Sequence, residues 1–113
     1  MSTVPHSFDL IAASGHRLAD LSTLRQVAQA GGGLGADRAR ALAEQGRRDG
    51  WELRVMYGQT EACARMAIAS GADVLTHPHC SGRAVGSGAF EVLVDGRPAQ
   101  VGEVGDLVFH GDN

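Results

Sequence analysis

The sequence predicts an α/β chain in which a βαβ unit with parallel strands leads into a β-hairpin. Three observations carry that expectation. From Ala36 to Arg48, apolar Ala36, Ala39, Leu42 and Ala43 recur on one helical face, while Asp37, Arg38, Arg40, Glu44, Arg47 and Arg48 take the other. Short apolar runs flank this helix, Leu24 to Ala30 before it and Leu53 to Tyr57 after it. Together they read as strand, helix, strand with a right-handed crossover, so the two strands are expected to be parallel. Farther on the period changes to two in Phe90-Glu91-Val92-Leu93-Val94, and Asp95-Gly96 follows as a hairpin turn signal.

The elements follow in order. Val4 to Ala12 reads as a short helix, with Pro5 in the first turn, Phe8, Ile11 and Ala12 at i, i+3 and i+4, and Gly15 as a stop. The Leu24 to Ala30 strand runs into the turn Gly31-Gly32-Gly33, and Gly50 ends the central helix. After Tyr57 come Gly58 and Thr60, and Glu61 to Ser70 is compatible with a helix capped by Thr60. Gly71 to Ala89 reads as a loop. Val104 to His110 is strand-like, and Pro98 puts the piece before it at an edge or in a turn. The expected organisation is one partial domain over 1–113, with an α/β part at 1–75 and a hairpin part at 76–113.

Composition excludes several function classes. At 113 residues and 43% hydrophobic, the chain has room for one domain and hardly for two. All 10 basic residues are Arg, scattered from Arg17 to Arg97 against 13 acidic ones, so no nucleic-acid partner is expected. No segment approaches the roughly 20 apolar residues of a membrane span, and no membrane partner is expected. His6 and Asp9 stand where a signal peptide needs a basic start and an apolar run, which points to a cytoplasmic setting. Cys63 and Cys80 are too few for a disulfide framework and read as inert small residues.

Three local features tempt a chemical reading. His77-Pro78-His79-Cys80 has imidazole and thiolate groups that suit Zn²⁺, but no second cluster supplies the remaining ligands, so a plain loop is preferred. Gly31 to Gly35 is no phosphate loop, because no Gly-Lys-Ser/Thr follows, and Arg38 stands where a dinucleotide fingerprint has its third glycine. His110 follows a strand with nothing nearby to orient it as a base.

Longer stretches carry more. Val55-Met56-Tyr57-Gly58-Gln59-Thr60-Glu61-Ala62 is similar to the aromatic-Gly-x-Thr-Glu motif of the adenylate-forming superfamily, which holds acyl-CoA synthetases, adenylation domains of peptide synthetases and luciferases. Leu24 to Gly32 resembles the family strand that ends in a Gly-Gly turn before a helix. Gly82-Arg83-Ala84-Val85-Gly86-Ser87-Gly88 resembles the family's Gly-Arg-Pro-x-Pro-Gly linker, and Gly102-Glu103-Val104-Gly105-Asp106-Leu107 its Gly-Glu-x-Gly-Glu-Leu strand motif. Four motifs stand in the family's order across most of the chain. On spacing alone, Tyr57 is a core or surface aromatic and Thr60-Glu61 a helix start.

The resemblance implies a fragment of the large N-terminal domain of an adenylate-forming enzyme, with its hairpin belonging to a barrel-like subdomain. The implied activity is ATP-dependent carboxylate activation: an acid and ATP give acyl-AMP and pyrophosphate, and the thiol of CoA or a carrier protein then takes the acyl group. The implied cofactors are ATP/AMP and Mg²⁺. Tyr57 would stack on adenine, with Gly31, Gly32, Gly33 and Gly58 letting backbone approach the flat ligand. Thr60 would bond the α-phosphate and Glu61 would hold Mg²⁺, which makes these two the catalytic candidates.

The departures are equally specific. Ala84 and Gly86 replace prolines, Asp106 replaces Glu, and Cys63 stands where another small residue is expected. The sequence contains no Lys-bearing phosphate loop, no downstream Asp motif for the ribose and no C-terminal lysine; it has no Lys at all. An internal slice of a longer synthetase is therefore expected, incomplete in catalysis alone, and acting as a homo-oligomer or with a complementing chain. Two other readings stay open: a binding or complementation module, and a small repurposed enzyme using Glu61 or a histidine in the old slot.

Overall fold

The computed structural model describes residues 1–111, and the side chain of Cys63 lies outside that description, as does the reading of Cys63 as an inert residue. Strand β1 (Ser2–Thr3) leads into helix α1 (Pro5–Ala13) and a 3-10 turn at Leu18–Asp20. Strand β2 (Gln26–Gln29), helix α2 (Ala36–Asp49) and strand β3 (Glu52–Gln59) follow. Next come β4 (Cys63–Ser70), the short helix α3 (Gly71–Thr76) and β5 (Arg83–Ala84). The chain finishes with β6 (Ala89–Val94), β7 (Arg97–Pro98) and β8 (Asp106–His110).

Two sheets result. The first has the order β1-β2-β3-β4-β5 and the second β7-β6-β8. Strands β1, β2 and β3 are parallel, with Val27 opposite Leu53 and Gln29 opposite Val55, so the expected βαβ unit is present. In the second sheet β6 is central and antiparallel to both neighbours, with Pro98 on the edge strand β7. The hairpin turn between β6 and β7 has φ of +50° at Asp95 and +76° at Gly96, the two left-handed residues that favour an Asp-Gly turn.

The core lies where α2 packs on α3 and β3. Val27, Ala39, Ala43, Trp51, Leu53, Ala69 and Val74 belong to one buried cluster, which also takes in Phe8 and Leu18. The small residues of α2 are a requirement of that packing. A Cβ on Gly46 would come within 2.5 Å of the Trp51 carbonyl oxygen and 2.9 Å of its ring. The helix ends on Gly50 at φ +81°, the left-handed cap that glycine adopts without strain.

Two expectations are corrected. Glu61 to Ser70 is not a helix: β4 occupies most of it and runs antiparallel to β3, with Tyr57 opposite Ala67 and Arg54 opposite Ser70. Helix propensity in this alanine-rich stretch yields to the unpaired backbone edge of β3 and to the burial of Ala67 and Ala69, both 0% exposed. Thr60 consequently lies in the β3–β4 turn rather than capping a helix. Gly71 to Ala89 is not all loop either, because it contains α3 and β5. Ser70 caps α3, its Oγ accepting from the Asp73 amide while Asp73 Oδ2 accepts from the Ser70 amide at 2.9 Å and from the Ser70 hydroxyl at 2.7 Å. The first sheet thus extends through Ala84, and the change to the second sheet falls between Ala84 and Ala89.

Candidate functional site

The parallel strands β2 and β3 run toward the same edge of the sheet: β2 ends at Gln29, opposite Val55, and gives way to glycines, while β3 continues through Gly58 to Gln59. After β2 come Gly31 and Gly32, with φ of +72° and +153°, conformations that side chains disfavour. A Cβ on Gly31 would lie 3.3 Å from Val4 Cγ1, so the turn also runs close to the start of α1. In β3 the ladder register shifts between Tyr57 and Gln59, placing Gly58 at an irregularity of the kind that ends regular pairing.

These two stretches line a common cleft of about 490 Å³. Ala30, Gly31, Gly32, Gly33 and Leu34 come from the β2 side, and Val55, Met56, Tyr57 and Gly58 from β3. Ala64 of β4 and Cys80 and Ser81 of the loop after α3 complete it. The cleft stands at the carboxyl ends of parallel strands, where open α/β sheets take their ligands. Tyr57 is half-buried, its ring 6.2 Å from Phe90, which lies 5.0 Å from Phe109. This aromatic row ties the cleft wall to the second sheet.

Gly31, Gly32, Gly33, Tyr57 and Gly58 therefore come together, whereas Thr60 and Glu61 are exposed in the β3–β4 turn and do not line the cleft. They follow Gly58 by two and three residues, a reach of at most about 7 to 11 Å of chain. Among the described residues, no three His, Cys, Asp or Glu side chains gather into a metal-holding group. A single carboxylate such as Glu61 suits Mg²⁺ only in company with phosphate and water oxygens.

Reasoning from sequence passed over Ala64 and Ser81, and weighed Cys80 only as a metal ligand or an inert thiol, not as part of this cleft. Cys80 is a free, half-buried thiol that also borders a neighbouring pocket of about 220 Å³ together with Leu34, Val55, Val74, Pro78 and His79. No local signal assigns these residues to the cleft: β4 carries Ala64 there, and the loop after α3 carries Cys80 and Ser81. A further groove of about 550 Å³ lies along α1 and α2, among Phe8, Ile11, Leu42 and Arg38. It contains none of the motif residues, and Arg38 there is already paired with Asp9 and sits over the Phe8 ring.

The second sheet explains another motif. Arg97 grips Glu103 with both guanidinium nitrogens, at 2.8 and 2.9 Å, and the Gln100 amide donates to the same carboxylate. The guanidinium, then the amide, holds the Glu103 carboxyl below the usual carboxylate range. A Cβ on Gly105 would fall 2.2 Å from the Leu93 carbonyl oxygen, so this position admits only glycine without rearrangement. The Gly-Glu-x-Gly stretch closes the β7–β8 connection against β6.

The fold and the order of the motifs define a portion of an α/β domain with a cleft at the ends of its parallel strands. The chain belongs to the AMP-binding enzyme family, whose model matches residues 1–113, and so to the adenylate-forming superfamily. Among solved structures it is similar to O-succinylbenzoate coenzyme A synthetase (MenE) from Bacillus subtilis in complex with AMP, at 21% identity and a TM-score of 0.78. The same enzyme with its acyl-adenylate intermediate matches at 21% and 0.79, and with ATP and magnesium ion at 22% and 0.71. In each case 97% of this chain is covered but 22% of the enzyme's, so the chain spans about a fifth of these relatives. A search of curated proteins finds no match. Among the described residues no helix is long and apolar enough to cross a membrane.

Proposed function

We propose that this chain supplies one wall of the nucleotide site of a carboxylate-activating ligase. The observation that carries the reading is the convergence of Gly31, Gly32 and Gly33 with Tyr57 and Gly58 on one cleft. A side-chain-free turn admits a flat ring close to the backbone, and an aromatic face adds stacking; both suit adenine. The cleft volume is in the range of small-molecule sites.

In the parent reaction, a carboxylate oxygen attacks the α-phosphorus of ATP and pyrophosphate leaves; a thiolate of CoA or a carrier protein then attacks the acyl carbon and AMP leaves. Thr60 would donate its hydroxyl to an α-phosphate oxygen just beyond Gly58. Glu61 would share Mg²⁺ with the phosphates, the ion supplying charge neutralisation when bound. This chain holds no lysine for the phosphates or the acyl carboxylate, so adenosine contacts dominate what it binds alone. Calorimetric titration with AMP and adenosine tests this. Adenosine should retain most of the affinity of AMP, and a site that takes AMP but not adenosine would refute the adenine wall.

A second reading, a complementation module, is favoured by the second sheet. Among the described residues strand β8 pairs only with β6, Leu107 on it is 49% exposed, and Val101 and Val104 just before it are almost wholly exposed. An open edge with apolar neighbours is a template for another chain or a second copy. The two readings are compatible, since a complementing chain would bring the missing phosphate contacts.

A further inference from the structure

Gln29 lies outside the residues assigned to the cleft, yet it occupies an unusual place beneath them. It is the last residue of β2, on the same face as Val27 and opposite Val55 in the ladder. It is 0% exposed, a polar side chain in an apolar layer. Its Nε2 donates to the Gly32 carbonyl at 2.8 Å and to the Ala30 carbonyl at 3.2 Å. Its Oε1 is buried with no partner among the described residues. Half of the amide is thus fully engaged on the glycine turn while the other half carries a desolvation penalty that an apolar residue of the same size would avoid.

The turn has need of such an anchor. Three successive glycines have more backbone freedom to lose than any other sequence. Without side chains they can be ordered only through their backbone groups, and a disordered turn would present no fixed surface to a ligand.

We propose that Gln29 is the positioning residue of the nucleotide wall: by holding the carbonyls of Ala30 and Gly32 from below, it presets the backbone of Gly31 to Gly33 for the flat face of a nucleoside base. The proposal rests on the adenine-wall reading for its ligand, but its structural half, the anchoring of the turn, stands separately. Affinity is gained by pre-organisation, since the ordering cost of the turn is met before the ligand arrives.

The test compares the full chain with Gln29→Met, which fills a similar volume with a flexible apolar chain and removes both the donors and the orphan acceptor. Amide exchange at residues 31–34 should quicken by about tenfold or more in the variant while the thermal midpoint is unchanged or raised. AMP should bind about tenfold more weakly, the loss appearing as a less favourable binding entropy. A residue that merely filled the core would leave both turn exchange and binding entropy unmoved, and that result would overturn the proposal. If Gln29→Met does not unfold cooperatively, the wild-type chain decides. Its Gln29 side-chain amide hydrogens should exchange slowly and show couplings across hydrogen bonds to the Ala30 and Gly32 carbonyl carbons, and a fast-exchanging, uncoupled amide overturns the proposal. If wild type binds no AMP yet the exchange difference is present, the anchoring stands and the nucleotide reading alone falls.

Discussion

A missing methyl group governs several positions of this chain. Gly46 is the sharpest case in the core: with 2.5 Å to the Trp51 carbonyl, Gly46→Ala must displace either α2 or Trp51. Overpacking of this kind costs about 1 to 3 kcal/mol, more than the helix propensity that alanine gains, so thermal or denaturant unfolding should show a net loss of stability. At the cleft the comparison is between Tyr57 and Glu61. Stacking on an aromatic face is worth about 1 to 3 kcal/mol per base, whereas a carboxylate beside a phosphate repels it unless Mg²⁺ lies between. Tyr57→Ala should therefore weaken AMP binding by roughly one to two orders of magnitude. Glu61→Ala should weaken it little, and strengthen it when metal is withheld. Calorimetry of the three proteins with and without Mg²⁺ checks this, and equal losses would count against the arrangement.

At the level of elements, the start of α3 makes a pH-dependent prediction. Asp73 is held below the ordinary aspartate range, first by the Ser70 hydroxyl and then by the Ser70 amide. A folded-state pKa below the unfolded one means that the contribution is complete above the unfolded value and is lost as pH falls through the folded value. Ser70→Ala should lower the thermal midpoint at neutral pH and flatten its dependence on acid, the difference from wild type shrinking as Asp73 is protonated to what the Ser70 Oγ cap on the Asp73 amide contributes. A constant difference across the acid range would contradict the assignment. The same helix shows what was legible in the sequence. The Ser70-Gly71-Ala72-Asp73 pattern is a capping signal in plain view, yet a six-residue helix without apolar period reads as loop. Strand β4 was illegible for a different reason: Cys63 to Ser70 has neither alternation nor β-branched residues apart from Ile68, and the β3–β4 hairpin turn at Thr60-Glu61-Ala62 carries no Gly, Asn or Asp to signal it. By contrast β2, α2 and β3 announce themselves through local period and glycine punctuation, as does the Asp95-Gly96 turn. The cleft divides in the same way. Gly31 to Gly33 and Tyr57 stand in local motifs, while Ala64, Cys80 and Ser81 reach it only through the path of β4 and α3.

For the molecule as a whole, the radius of gyration is 15.6 Å, against about 13 Å for a compact domain of this length. Among the described residues the three-stranded sheet has an unpaired edge at β8, fringed by exposed Val101, Val104 and Leu107. Sedimentation should accordingly show association that rises with concentration, and a monomer at high concentration would mean the edge is protected. Charge stabilisation by phosphate-binding lysines is absent from the sequence, so pyrophosphate exchange with a panel of fatty and aryl acids should stay at background for the chain alone. The central claim, that adenosine is held between the glycine turn and Tyr57, is tested most directly by mapping backbone NMR shifts during adenosine titration. The shifts should concentrate at 30–34, 55–58, 64 and 80–81, the residues around the cleft. Shifts centred instead on Phe8, Ile11, Arg38 and Leu42, in the larger groove along α1 and α2, would contradict it.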